Sequence, residues 1–159
     1  MERLLAVVAL LVVSLLSYNT QRADHEVGQS LISEEVESIG ADLVESTFEE
    51  IAALYFDADP DPGVLTDLTN EAQFGGKAAW DDATDLDDLD GMTVTREVVG
   101  AEGGVFRFHL AAEVSYAEKD GGVWEAVHHR TWFKQVTLTA TDSLEFDATL
   151  QGVYAAEGL

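Results

Sequence analysis

Residues 81–91, DDATDLDDLDG, set six carboxylates within a single short stretch: Asp81, Asp82, Asp85, Asp87, Asp88 and Asp90. Calcium is held by about six to eight oxygen ligands, so a loop that gathered these side chains would make a calcium site. Upstream, DADPDPG at 57–63 places Asp57, Asp59 and Asp61 at alternate positions, like the first half of an EF-hand loop. Proline stands where that loop needs its glycine and no bidentate glutamate closes it, so an EF-hand is excluded. In a chain this acidic, a solvated acidic loop is the competing reading of both stretches. Calcium at the six aspartates of 81–90 is the one cofactor the sequence puts forward.

A second group of side chains invites a zinc reading: His128 and His129, with His109, Glu113 and Glu125 on neighbouring segments. Adjacent strand residues point to opposite faces, so the two histidines do not converge on one ion. Pairing of His and Arg130 with nearby carboxylates is the expected role. No Gly-x-Ser-x-Gly elbow, phosphate-binding glycine loop or His-Glu-x-x-His motif is present, and carboxylates are too abundant to single out an acid–base pair. The expectation is a protein that is not an enzyme. Tyr18, Trp124 and Trp132 are expected to serve the core rather than a ligand.

The totals bound the partners. In 159 residues, 8 Lys and Arg stand against 31 Asp and Glu, for a formal charge of -23. Nucleic acid and anionic membrane surfaces need cations to meet their phosphates, so neither is an expected partner. At about 1 M salt the Debye length falls to about 3 Å, which screens such self-repulsion; the composition is that of a salt-adapted, halophilic protein. With no cysteine, disulfides and thiolate chemistry are absent. A hydrophobic content of 47% suffices for one modest core.

Four segments position these residues. Residues 1–23 contain the 18-residue uncharged run LLAVVALLVVSLLSYNTQ, from Leu4 to Gln21. As a helix it spans roughly 27 Å, close to the roughly 30 Å hydrocarbon thickness of a bilayer. It lacks an Ala-x-Ala-like site, so it reads as a retained anchor rather than a cleaved signal peptide, with the N-terminus on the cytoplasmic side. Residues 24–57 continue as an amphipathic helix: Leu31, Ile32, Val36, Ile39, Leu43, Val44, Phe48, Ile51, Leu54 and Tyr55 recur at three- and four-residue steps, ending before Pro60 and Pro62. Residues 58–91 form an acidic loop pinned by Leu65, Leu68, Phe74 and Trp80.

Residues 92–159 read as antiparallel sheet. MTVTREVVG is β-branched, and VFRFHLAAEVSYAE alternates through Phe106, Phe108, Leu110, Ala112, Val114 and Tyr116. KDGG is a hairpin turn. VWEAVHHRTWFKQVTLTAT returns as one long strand with a bulge or change of face near Trp132 and Phe133, and LEFDATLQGVYAA supplies the fourth strand. The expected fold class is α+β: a long N-terminal helix, apolar in its first half and amphipathic in its second, packed on a four-stranded antiparallel meander, with 24–159 as one globular domain.

That architecture resembles the type IV pilins and the pseudopilins of type II secretion systems. The resemblance implies a structural subunit whose apolar helix half anchors it in the inner membrane before assembly and then bundles with copies of itself in a helical filament at the cell surface. The residues it assigns to assembly are Leu4, Leu5, Val7, Val8, Leu10, Leu11, Val12, Val13, Leu15 and Leu16. Glu2 is the nearby carboxylate that would meet a neighbour's amino terminus. The alternative is a single-pass membrane-anchored, extracytoplasmic β-rich binding domain. In either form, subunits carrying -23 repel one another. Assembly is therefore predicted to strengthen as salt rises toward molar levels, as read by sedimentation or electron microscopy across a salt series; equal assembly at low and high salt would contradict it.

Overall fold

A computed structural model describes residues 32–57, 64–101, 103–144 and 146–156. The apolar run, Glu2 and the assembly residues through Leu16 lie outside these. The chain divides into two compact units, Met1–Glu37 and Ser38–Leu159. Of the first, only residues 32–37 are described, and they are helical. No helix among the described residues is long and apolar enough to cross a membrane.

The described chain is predominantly β, which overturns the α+β expectation of a long helix on a four-stranded meander. One helix, α1 (residues 32–52), is followed by four short 3-10 turns, Leu65–Asp67, Glu71–Gln73, Trp80–Asp82 and Asp87–Leu89. Then come five strands: β1 (Thr93–Val99), β2 (Val105–Asp120), β3 (Val123–Val127), β4 (Phe133–Thr141) and β5 (Asp147–Ala155). All pairings between strands are antiparallel, in the order β1-β2-β4-β5, and β3 also pairs with β2.

The expected long strand from Val123 to Thr141 is in fact two. β3 lies against the C-terminal end of β2, with Tyr116 opposite Val127, whereas β4 lies along β2's other edge, with Tyr116 opposite Lys134. The chain changes edge over residues 128–132, where the Thr131 hydroxyl donates to the Ala117 carbonyl at 2.8 Å. Failed alternation near Trp132 thus marks a crossing of β2 rather than a bulge. The β2–β3 turn behaves as its glycines predict: Gly121 and Gly122 have φ of 57° and 97°, the pair of positive values a type I′ turn requires.

β1 and β3 share one edge of β2 but leave a gap between them. There the Val114 N–H donates to Asp90 Oδ1 at 2.9 Å, so a carboxylate substitutes for the missing strand carbonyl. Helix α1 stops at residue 52, short of the expected end at residue 57. Its last turn tightens through the Ala53 and Leu54 N–H groups on the Glu50 and Ile51 carbonyls, and the next amide, Tyr55, donates to Thr84 O instead. Leu86 N–H returns the bond to Tyr55 O, which forms a short parallel bridge between helix exit and acidic loop.

Within Ser38–Leu159 the core joins Val44 and Ile51 of the helix to Trp80, Leu86 and Leu89 of the loop. Its other wall is Leu110, Ala112, Val114, Val136, Leu138 and Ala140 of the sheet. Leu68 and Trp80 are buried as expected, Leu65 and Phe74 half-buried. β5 begins at Asp147 rather than Leu144: Leu144 lies in a turn held by Asp142 Oδ1, which accepts the Leu144 and Phe146 N–H groups, and both Leu144 and Leu150 are exposed. Helix and sheet meet closely at two glycines. A Cβ on Gly40 would stand 2.5 Å from Phe146 Cζ, and one on Gly152 would stand 2.6 Å from the Phe48 ring. Phe146 is itself packed edge-on against Phe108, so it has little room to yield. Gly40→Val and Gly152→Val are each predicted to cost about 1–3 kcal/mol by overpacking, measured by chemical denaturation. An unchanged midpoint in both would contradict the close approach.

Candidate functional site

The most unusual chemistry in the fold is a buried charge cluster. β4 alternates so that Lys134, Val136, Leu138 and Ala140 all face the core. Lys134, one of three lysines in the chain, is 0% exposed, and its neighbours Asp57 and Asp87 are 3% and 4% exposed. Lys134 Nζ donates to the Phe56 carbonyl at 2.6 Å and to Asp57 Oδ2 at 3.2 Å. Asp87 Oδ1 lies 2.6 Å from the same nitrogen. That approach is an ion-pair contact outside hydrogen-bonding angles, and neither Asp87 oxygen accepts an aligned hydrogen bond. Phe56, Phe74 and Tyr116 surround the ammonium, with ring centroids 4.3, 5.3 and 5.5 Å from Nζ.

The two carboxylates differ. Burial would raise Asp57, but the Thr69 N–H at 2.8 Å and the charge of Lys134 overcome it and hold its carboxyl below the ordinary range. The Thr69 hydroxyl adds a second bond at 2.9 Å. Asp87 has no such donors; burial dominates over the charge of Lys134 and pushes it up to about 7. A cluster of one cation, one firmly ionised carboxylate and one carboxyl that keeps its proton near neutrality therefore lies in an apolar, aromatic pocket. Burial also pushes the Tyr116 phenol upward, and its hydroxyl donates to Thr69 O.

The six aspartates weighed as calcium ligands against a solvated acidic loop take separate partners. Asp81 and Asp82 are exposed. Asp85 Oδ1 accepts the Asp88 N–H at 3.0 Å; Asp88 Oδ2 accepts the Thr84 N–H and hydroxyl at 2.9 and 3.0 Å and lies 3.7 Å from Lys77. Asp87 faces Lys134 and Asp90 caps Val114. Among the described residues, no three metal-ligating side chains come together. His128 Nδ1 meets Glu71 Oε2 at 3.0 Å, His129 Nε2 lies 3.6 Å from Glu118 Oε1, and His109 bonds Thr95 at 2.9 Å. The two adjacent histidines diverge in the crossing segment, beyond the end of β3, rather than across a strand. Trp124 is half-buried against Phe133, 4.8 Å between centroids.

Sequence reading missed Lys134. Its signal was present: a lysine in phase with three apolar residues on an alternating strand cannot reach solvent without leaving register. Asp57, considered only as the first position of a calcium loop, is its counter-ion. The outer face of the sheet, by contrast, is rich in hydroxyls. Thr93, Thr95, His109, Ala111, Thr139 and Thr141 line an open depression there. The odd-numbered positions of β1, β2, β4 and β5 that form this face carry Glu97, Glu113 and Asp147 against Arg107 and Lys119. Glu97 and Arg107 pair at 2.7 Å.

Removing the cation alone would leave buried carboxylates uncompensated. Lys134→Met is predicted to destabilise the domain by about 3–5 kcal/mol in urea denaturation, and a loss below about 1 kcal/mol would contradict the cluster. Comparison with protein-family models, with curated proteins and with solved structures finds no match to this chain.

Proposed function

We propose that this chain is a non-catalytic structural subunit of an extracytoplasmic surface assembly. The apolar run of residues 4–21 holds it to the membrane and then bundles with copies of itself, while the predominantly β unit is presented to the medium. The reading does not depend on the pilin-like sheet arrangement, which the strand order overturns. What carries it is the contrast in charge. In a chain of net charge -23, the outer sheet face bears three carboxylates against two cations and is otherwise built largely of threonine, glutamine and alanine. Copies that meet at such a face oppose few carboxylates, and two cations partly offset them, whereas approach through more acidic surface meets stronger repulsion. The uncharged run supplies the attraction, at about 25 cal/mol for each Å² of apolar surface removed from water.

The anchored binding domain is the second reading, favoured by the division of the chain at Glu37: Ser38–Leu159 is compact by itself and carries the core cluster, as a domain on a stalk would. Electron microscopy of material sheared from cells separates the two, since a filament is released as fibres and an anchored domain stays with the membrane fraction. Val8→Asp and Leu11→Asp are predicted to abolish fibres while the far-ultraviolet spectrum of the β unit is unchanged. Normal fibres from either variant would refute assembly through this run.

A further inference from the structure

We propose that Lys134 and Asp87 are the reactive pair of a self-formed isopeptide cross-link, with Asp57 as the general base. The proposal goes beyond the functional reading above and does not rest on it. Three features of the cluster favour condensation over a simple ion pair. The nitrogen and an Asp87 oxygen are 2.6 Å apart, so the Asp87 carboxyl is held in direct contact with the amine. Nζ is oriented by the Phe56 carbonyl, and its proton is directed to Asp57 Oδ2. All three side chains are nine-tenths or more buried, and the walls are Phe56, Phe74 and Tyr116, so there is little water to reverse an amide.

The step balances without a co-reactant. Asp57, ionised and fixed by Thr69, accepts the proton that the Lys134 ammonium directs to its Oδ2; the transfer is uphill and is drawn forward as the amine is consumed by C–N bond formation. The amine attacks the carboxyl carbon of protonated Asp87, forming the C–N bond and a tetrahedral intermediate. The intermediate loses its second nitrogen proton and expels the hydroxyl as water, with Asp57 as the relay. The products are one secondary amide, one water and one proton, the last carried by Asp57. Nothing is oxidised or reduced. Asp87 suits the electrophile's role because burial keeps its carboxyl protonated up to about pH 7, and a carboxylate anion would resist attack. Two groups fixed in contact react with effective concentrations of about 10⁵–10⁸ M, which is what replaces an activating cofactor. The resulting covalent ring from Asp87 to Lys134 contains β1, β2 and β3, and it would staple a chain that has no cysteine for a disulfide.

The test is denaturing mass spectrometry of the full chain, followed by peptide mapping. The expected result is a chain lighter by one water, with a branched peptide joining the Asp87 segment to the Lys134 segment. Lys134→Arg is expected at its full sequence mass. Asp57→Asn, which keeps an acceptor for Thr69 but removes the base, is expected to be linked at least about a hundredfold more slowly after refolding, the lower end of the range of general-base contributions. Asp87→Asn is expected to form the same linkage with loss of ammonia instead. An unbranched Lys134 peptide in the wild-type digest overturns the proposal whether or not any variant folds. So does a water loss that maps to a succinimide at Asp90-Gly91 or Asp120-Gly121, which hydroxylamine cleaves and an isopeptide resists. A linkage to Asp57 overturns the assignment of roles.

Discussion

A buried cation with two buried carboxylates is the constraint on which the rest of Ser38–Leu159 depends. Lys134 comes from β4, Asp57 from the segment leaving α1, and Asp87 from the acidic loop. Taking ions such as Lys134 and Asp57 out of water costs several kcal/mol each unless they find one another, and a buried Asp87 carboxyl needs the same partner, so docking of the helix exit, the loop and the sheet is coupled. This explains why residues 64–91, with only 3-10 turns of their own, hold a definite course. Their backbone is pinned at Tyr55 by Thr84 and Leu86, and at Gly75 by the Asp87 carbonyl, 2.7 Å away.

Carboxylates in this loop act as structural acceptors. Asp57, Asp85, Asp88 and Asp90 each accept a backbone N–H. A segment without long helices or strands leaves amides unpaired, and a buried unpaired amide is costly. An aspartate reaches such an amide where no carbonyl can, most plainly at Val114, where β1 and β3 fail to meet. Aspartates that would be solvated at the surface thus serve inside as backbone acceptors. Asp87 is the exception: it receives no aligned donor and is the carboxyl that burial keeps protonated near neutrality.

The sheet has two faces of different character because side chains alternate along its strands and only one face is covered by helix and loop. Even-numbered residues, Phe108 to Tyr116 and Val136 to Ala140, are buried against helix and loop. Odd-numbered positions carry the hydroxyls and few charges. A surface-assembly role draws on this asymmetry, since hydroxyls stay hydrated alone yet tolerate a neutral neighbour. A covalent Lys134–Asp87 tie would suit the same role, because it would join the loop to the sheet.

By itself the sequence determined the local elements whose periods are unambiguous: the alternation of β2, the glycine turn at 121–122, the helical stripe through Ile51, and an 18-residue uncharged run set against a net charge of -23. Each depends on neighbours within a few residues. Only the tertiary structure decided what depends on distant partners. Helix α1 ends at residue 52 because Tyr55's amide is taken by Thr84, 29 positions away in a loop without periodicity. β3 and β4 separate because β2 has two edges, and alternation in one strand does not say which edge it will join. Lys134 could be read as inward-facing from its phase, but not as paired, because Asp57 and Asp87 reach it only when helix exit, loop and sheet close around one nitrogen.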